Sequence, residues 1–140
     1  MFKQIGDLNV CYEVHGEGYP LLLLHGGGSR ASCYEDMVPI LSKDFTTYAY
    51  DLRGFGDTVK PESPPLGHDL WMEDLRSFMD SFDLKKAAIV GWSMGAAVAL
   101  NFVLNYSDRV SHLILIGAGS PRIAPSDRSG FENRIKLIES

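Results

Sequence analysis

Cysteine is scarce in this 140-residue chain, and basic residues are outnumbered by acidic ones. The two cysteines, Cys11 and Cys33, lack the spacing of a metal-binding motif, which favours free thiols in a cytoplasmic protein. The formal net charge of −5 at pH 7 argues against attraction to nucleic acid or to an anionic membrane surface. The sequence therefore predicts no metal site and no nucleic-acid partner.

Long apolar runs are also few. Residues 1–10 contain no apolar stretch of signal-peptide length, so we expect a cytoplasmic location. Residues 87–107 carry no formal charge, and Gly91 and Gly95 within them have the G-x-x-x-G spacing of membrane helices. However, Ser93 and two asparagines interrupt this segment, and alanine and glycine dilute its apolar content. A buried strand followed by a buried helix explains the segment better than a membrane span does.

The spacing of apolar residues predicts alternating strands and helices. With 45% hydrophobic and 22% charged residues, the composition is that of a globular protein of about one domain. Strands are expected at residues 8–15, 21–24, 45–50, 87–90 and 110–116, and helices at residues 31–41, 68–82 and 94–106. This order indicates an α/β fold, with a mostly parallel sheet of about six strands and helices on both faces.

The last part of the chain has a different character. Residues 120–130 include Pro121 and Pro125 and are expected to form a loop, after which Phe131, Ile135 and Ile138 begin a helical stripe. An isolated helix of about two turns is unstable in water, so we expect the sequence to continue past its last residue. The predicted organisation is a core over residues 1–118 and a loop with the start of a helix over residues 119–140.

The pentapeptide Gly91-Trp92-Ser93-Met94-Gly95 lies where a predicted strand meets a predicted helix. A serine in a sharp strand-to-helix turn presents its hydroxyl clear of the backbone, and the amide of the next residue points to the same space. Small residues on both sides allow such a turn to close. A tight turn in which Ser93 bonds only to backbone is the simpler alternative, but the flanking strand and helix favour a nucleophile beside an oxyanion donor.

A second glycine-rich motif, His25-Gly26-Gly27-Gly28, follows the buried strand at residues 21–24. Glycines at this position let backbone N–H groups approach a ligand closely. Together with the amide of Met94, one of these groups could bind the oxyanion of a tetrahedral intermediate, a contact typically worth ~3–4 kcal/mol in the transition state. We select Gly27 as the donor, with Gly26 and Gly28 as alternatives.

The same glycines also fit the outline of a dinucleotide-binding fingerprint. Gly26, Gly28 and Ala31 satisfy G-x-G-x-x-A after a strand, and Asp51 follows the next strand. That motif gives no role to His25 and leaves the Ser93 turn unexplained, and the strand before it is expected to be antiparallel. Dinucleotide binding is therefore the less favoured interpretation.

Three motifs in this order resemble the α/β-hydrolase superfamily. They are His25-Gly26-Gly27 after a strand, the run DLRGFG at residues 51–56, and the pentapeptide around Ser93. The closest likeness is to small esterases, enol-lactonases and cofactor-free haloperoxidase-type members. It covers roughly residues 1–117, which correspond to the N-terminal portion of that fold.

This resemblance implies roles for individual residues. Ser93 would be the nucleophile, and the amides of Gly27 and Met94 would form the oxyanion hole. The supporting positions would be His25, Gly26, Gly28, Gly91 and Gly95. Residues 51–57 would form a structural loop, and residues 119–140 would open a cap over the pocket. The implied substrate is a small molecule with an acyl bond, and the resemblance implies neither a cofactor nor a metal.

Part of the machinery of that family is missing from the sequence. Its acid and its histidine come after the nucleophile, whereas only His112 follows Ser93 here. The strand Val110–Ile116 would also be left as an exposed edge, a site for self-association or for a complementing chain. We therefore expect weak or no turnover from the chain alone. A non-catalytic binding scaffold of the same fold is the alternative.

Overall fold

The structure is a computed structural model that describes residues 1–58 and 66–118. Its strands are β1 (Phe2–Ile5), β2 (Leu8–His15), β3 (Tyr19–Leu24), β4 (Phe45–Tyr50), β5 (Ala87–Trp92) and β6 (Val110–Ile116). Its α-helices are α1 (Val38–Leu41), α2 (His68–Ser81) and α3 (Met94–Asn105), and Ala31–Tyr34 and Ser107–Arg109 are short 3-10 helices. The predicted alternation of strands and helices is confirmed.

The six strands form one sheet in the order β1-β2-β4-β3-β5-β6. The four strands β4, β3, β5 and β6 are parallel, while β2 runs antiparallel to β4 and β1 antiparallel to β2. Because β3 is continuously apolar, it fits the centre of a sheet that is covered on both faces. The carboxyl ends of β3 and β5 meet at one rim, where Leu24 pairs with Gly91.

Strand β1 was not predicted. It forms a hairpin with β2 through the two residues Gly6 and Asp7, and Ile5 pairs with Leu8 across the turn. Gly6 has a φ of +59°, which a glycine adopts without strain and which the tight hairpin turn requires. The Gly-Asp pair between two runs of alternating polar and apolar residues was the sequence feature that could have predicted this hairpin.

The helices cover the two faces of the sheet unequally. On one face, α2 and α3 pack against the sheet, and the apolar stripe of α2 (Trp71, Leu75, Phe78 and Met79) lies in the main core with Phe102 of α3. On the other face, Tyr34 and Val38 pack over Leu23 and Val90. The continuous helix predicted for residues 31–41 is wrong in detail. The chain forms a 3-10 turn and then starts α1 afresh, because Pro39 lacks the N–H that would continue the preceding turn.

A buried charge fixes the loop after β4. Arg53 is 4% exposed, and its guanidinium donates to Asp74 of α2 at 2.8 and 2.6 Å and to Asp7 of the β1–β2 turn at 3.0 Å. The hydrogen bonds from Arg53 to Asp7 lower the pKa of the Asp7 carboxyl group. Trp71 adds an indole N–H bond to the carbonyl of Arg53 at 3.0 Å. The loop is thereby tied to both α2 and the hairpin.

The segment at residues 87–107 forms β5 and α3 rather than one long helix. None of the helices in the described ranges has the length and apolar character needed to cross a bilayer. The predicted loop and helical stripe over residues 119–140 lie outside the described residues, as do the prolines at positions 61, 64 and 65.

Candidate active site

Ser93 occupies the sharp turn between β5 and α3. Its φ of +52° and ψ of −111° are unusual for any residue other than glycine. The turn is fixed by hydrogen bonds from the Ser93 N–H to Ile116 at 2.9 Å, and from the N–H groups of Ala96 and Ala97 to the Ser93 carbonyl. Ser93 is exposed, so the turn presents this residue at the surface of the molecule.

The two glycines of the pentapeptide are required by close backbone packing. A Cβ on Gly91 would lie 2.5 Å from the carbonyl oxygen of Gly95, and a Cβ on Gly95 would lie 2.3 Å from that of Leu24. Both distances are far shorter than any real contact of a Cβ atom. The helix α3 can therefore approach β3 and β5 this closely only because neither position has a side chain.

The triglycine bend lies against this turn. A Cβ on Gly26 would lie 3.3 Å from Cβ of Ser93, and one on Gly27 would lie 3.7 Å from Cβ of Met94. The Trp92 ring packs beside the same bend, 3.0 Å from the position of a Gly26 Cβ. The structure thus brings Gly26, Gly27, Ser93 and Met94 together at the carboxyl rim of the sheet.

His25 supports the triglycine bend through hydrogen bonds at both of its ring nitrogens. It is fully buried, and its Nδ1 lies 2.7 Å from the Gly26 carbonyl oxygen, while its Nε2 accepts a hydrogen bond from the Leu52 N–H at 2.9 Å. Since Nε2 is the acceptor, Nδ1 carries the proton and donates a hydrogen bond to the Gly26 carbonyl oxygen. Burial lowers the pKa of His25, which favours this neutral form. With both ring nitrogens engaged, His25 supports the bend and is not free to accept a proton from Ser93.

Asp51 has a similar bracing role. Its Oδ1 accepts from the Ala31 N–H at 2.7 Å, and its Oδ2 accepts from the Asp57 N–H at 2.8 Å. The side chain is buried beside Cys11, and the possible ligand atoms of Cys11, Asp51 and Asp57 lie within 4.8 Å of one another. The two backbone hydrogen bonds account for the position of this carboxylate.

This geometry does not support the dinucleotide alternative. The fingerprint needs an α-helix whose N-terminus follows the glycines, whereas here they lead into the 3-10 turn Ala31–Tyr34. It also needs an acidic side chain free to bind a ribose, and both carboxylate oxygens of Asp51 already bind backbone N–H groups.

Two of the other three histidines lie apart from Ser93. His15 ends β2 beside Thr47, and His112 pairs with Ala88 near the start of β5, so both lie toward the rim opposite Ser93. His68 opens α2 with its ring edge-on to Trp71. Across residues 1–58 and 66–118, no histidine forms a hydrogen bond with Ser93.

The backbone strain at Ser93 predicts a stabilising substitution. A non-glycine residue in such a conformation costs about 1–3 kcal/mol, of which glycine's own entropic cost offsets about 0.5–1 kcal/mol. Ser93→Gly should therefore raise the free energy of unfolding by about 1 kcal/mol, measured by urea denaturation. The control is Ser32→Gly, since Ser32 is exposed and has no positive φ. Equal losses of stability in both variants would contradict strain at the turn.

The comparisons with known proteins agree with this architecture. A family model described as the alpha/beta hydrolase fold matches residues 19–135. The chain therefore belongs to the α/β-hydrolase fold family, as its three motifs predicted.

The names of individual relatives state a substrate as well as the hydrolase family. The chain is 33% identical over 121 residues to the 2-hydroxy-6-oxo-6-(2'-aminophenyl)hexa-2,4-dienoic acid hydrolase of Metapseudomonas resinovorans, a match covering 84% of this chain and 41% of that protein. It is 30% identical over 145 residues to the 2-hydroxy-6-oxo-6-phenylhexa-2,4-dienoate hydrolase of Comamonas testosteroni, covering 96% and 50%.

A solved structure of a hydrolase has the same fold as this chain. The meta-cleavage product hydrolase of Pseudomonas fluorescens IP01 superposes with a TM-score of 0.82 at 34% identity, over 84% of this chain and 44% of that one. The chain thus spans about half the length, or less, of these three relatives.

Proposed function

We propose that this chain carries the nucleophile and the oxyanion hole of a serine hydrolase that acts on an ester or similar acyl bond. The observation that carries the proposal is the strained, exposed Ser93 beside the triglycine bend. A strained serine at the carboxyl rim of a parallel sheet, between a strand and a helix, is the geometry of a nucleophile elbow.

The reaction would begin with attack of the Ser93 hydroxyl oxygen on the substrate carbonyl carbon while a general base takes the hydroxyl proton. The carbonyl oxygen becomes an oxyanion and accepts hydrogen bonds from the amides of Met94 and Gly27. Met94 begins α3, so its N–H is also one of the free donors at the positive end of the helix dipole. Collapse of the intermediate expels the leaving group with a proton from the base, and water then releases the acyl group.

The names of the relatives suggest a substrate class. Two of them are named as hydrolases of 2-hydroxy-6-oxo-dienoates, compounds that carry a carbonyl group at the 6-oxo position. Such a carbonyl is an electrophile for a serine hydroxyl, so these dienoates are the first compounds to assay beside simple esters.

The base and the acid must come from elsewhere. Since no histidine in the described ranges forms a hydrogen bond with Ser93, we propose that a complementing segment supplies both groups. An intact oxyanion hole without its base retains acceleration on the order of 10³-fold over water, so residues 1–140 alone should be nearly inactive.

A fluorophosphonate probe tests this assignment at Ser93. Labelling should be low for residues 1–140 alone and rise when the C-terminal half of the Comamonas testosteroni relative is co-expressed with it. Ser93→Ala should abolish the labelling, whereas Ser32→Ala, which removes an exposed serine elsewhere, should keep it. Equal and negligible labelling with and without the added half would reject the hydrolase proposal and favour a non-catalytic binding scaffold.

A further inference from the structure

Trp92 is the last residue of β5 and directly precedes Ser93. Among the described residues it belongs to neither hydrophobic core, whereas the other tryptophan, Trp71, lies in the main core. Trp92 is 39% exposed and Trp71 only 8% exposed. A tryptophan side chain stabilises a fold chiefly through the large apolar area that it buries. Packing of the two cores therefore does not account for a tryptophan at this position.

Contacts at two of its edges hold the indole ring of Trp92 at the rim of the sheet. Atoms Cε3 and Cζ3 of the six-membered ring lie 3.0 and 3.1 Å from the position of a Cβ on Gly26. Atom Cδ1 of the five-membered ring lies 4.0 Å from the position of a Cβ on Gly117. The ring thus reaches from the triglycine bend to the end of β6. Because tryptophan has only two side-chain torsions, a ligand beside it would meet a surface that is already in place.

The indole ring also lies next to the candidate nucleophile. The position of a Gly26 Cβ that is 3.0 Å from Cε3 of Trp92 is also 3.3 Å from Cβ of Ser93, so the ring edge and the serine side chain flank the same point. Any segment that completes the sheet must leave Ser93 accessible to a substrate. A group attached to a carbonyl carbon at the Ser93 oxygen would therefore lie beside the indole.

The indole ring favours one shape of neighbouring group. Offset-stacked and edge-to-face aromatic pairs gain more than the burial of their area alone, and the additional gain corresponds to roughly a two- to tenfold change in affinity. A saturated ring of similar size buries a similar apolar area but cannot stack. A planar group beside Trp92 should therefore bind more tightly than a puckered group of the same size.

We propose that Trp92 is a specificity-determining residue, and that the site prefers substrates in which the reacting carbonyl carbon bears a planar aromatic or conjugated group that stacks on the indole. This inference rests on the proposed function, since it takes Ser93 as the residue that attacks the carbonyl. It also goes further, because the amides of Gly27 and Met94 would bind the oxygen of any acyl group and would not distinguish one acyl group from another.

Two methyl esters that differ in the planarity of their ring test the proposal. Methyl benzoate has a flat ring, and methyl cyclohexanecarboxylate has a puckered ring of six carbons. The chain contains two tryptophans, so its ¹⁵N NMR spectrum has two indole N–H signals, which Trp92→Leu assigns. Methyl benzoate should shift the Trp92 signal saturably and bind about fivefold more tightly than the cyclohexane ester. The signal of the buried Trp71 should shift far less.

Variants at Trp92 separate stacking from simple packing against Gly26. The backbone N–H signal of Gly27 reports binding in each variant. Trp92→Leu should make the affinities of the two esters nearly equal, whereas Trp92→Phe keeps a planar ring and should retain most of the preference. The matched control is Tyr19→Leu, which removes a 45% exposed ring from the start of β3, at the opposite rim, and should leave the preference unchanged. Circular dichroism verifies that each variant is folded.

Three outcomes would overturn the role of Trp92. They are equal affinities of the two esters for the unmodified chain, no saturable shift with either ester, and a preference that Trp92→Leu leaves unchanged. Failure of the hydrolase proposal is a separate result, because the titration requires no catalysis. Fluorophosphonate labelling of Ser93 in the complemented form, together with equal ester affinities, would reject only the role of Trp92.

Discussion

Replacement of Gly95 by alanine is expected to destabilise the protein by about 3 kcal/mol and to lower Tm by roughly 10 °C. The new Cβ would lie 2.3 Å from the Leu24 carbonyl oxygen and 2.6 Å from that of His25. Both neighbours are backbone atoms of the central strand and its exit, so the strain cannot be relieved by a side-chain rotation. The helix α3 must move away from β3, and the Met94 amide moves with it. Thermal denaturation followed by circular dichroism measures the loss.

Gly67→Ala is the matched control for this prediction. Among the residues that the structure describes, no atom lies within 4 Å of a new Cβ on Gly67, and Gly67 does not have a positive φ. Its substitution should change the free energy of unfolding by no more than about 0.5 kcal/mol. Similar losses from the two alanines would show that close packing at the turn is not what demands a glycine there.

The second large effect is expected from Arg53→Ala, with a loss of about 3–5 kcal/mol. Arg53 is 4% exposed and its main partner Asp74 is 11% exposed, so the variant leaves a carboxylate in α2 largely buried without its counter-ion. The loop after β4 would also lose its attachment to the hairpin turn at Asp7. Urea denaturation at pH 7 gives the difference in free energy directly.

Asp7→Ala separates the buried from the exposed part of this network. Asp7 is 56% exposed, and exposed ion pairs contribute about 1 kcal/mol or less. The expected order of destabilisation is therefore Arg53→Ala well above Asp7→Ala. Equal losses of unfolding free energy in the two variants would mean that burial of the Arg53 guanidinium against α2 does not determine how much Arg53 stabilises the fold.

Local sequence patterns were sufficient for the central part of the fold. The apolar runs of β3 and β5 are covered on both faces, so they could be recognised without knowing their neighbours. The stripe of α2 was visible for a similar reason, since one face of that helix is buried along its whole length. The antiparallel course of β2 was also predicted correctly.

Features that depend on distant contacts were not predictable in this way. Strand β1 is short and partly exposed, and only its pairing with β2 defines it. Arg53 is a charged residue in a glycine-rich loop, and its burial follows from Asp74 and Asp7, which lie 21 and 46 positions away in the sequence. No local pattern joins these three residues.

The close backbone packing around Ser93 was predictable, because it depends on residues that are near one another in the sequence. The glycines around Ser93 and after His25 are needed for close backbone approach, and a cluster of glycines is easy to recognise in a sequence. The resemblance had implied supporting roles for His25 and for the loop at residues 51–57. The hydrogen-bond partners of His25 and Asp51 became visible only with the structure, because they are backbone groups in other segments.

The order of strands has a consequence for synthesis of the chain on the ribosome. Strand β3 is central, yet β5, one of its two neighbours, is translated only after β4 and all of α2. Until then one edge of the largely apolar strand β3 has no partner in the nascent polypeptide, and such an edge is the kind of segment that chaperones retain and that aggregates when they do not. Translation between β4 and β5 is therefore the interval in which this protein is most vulnerable.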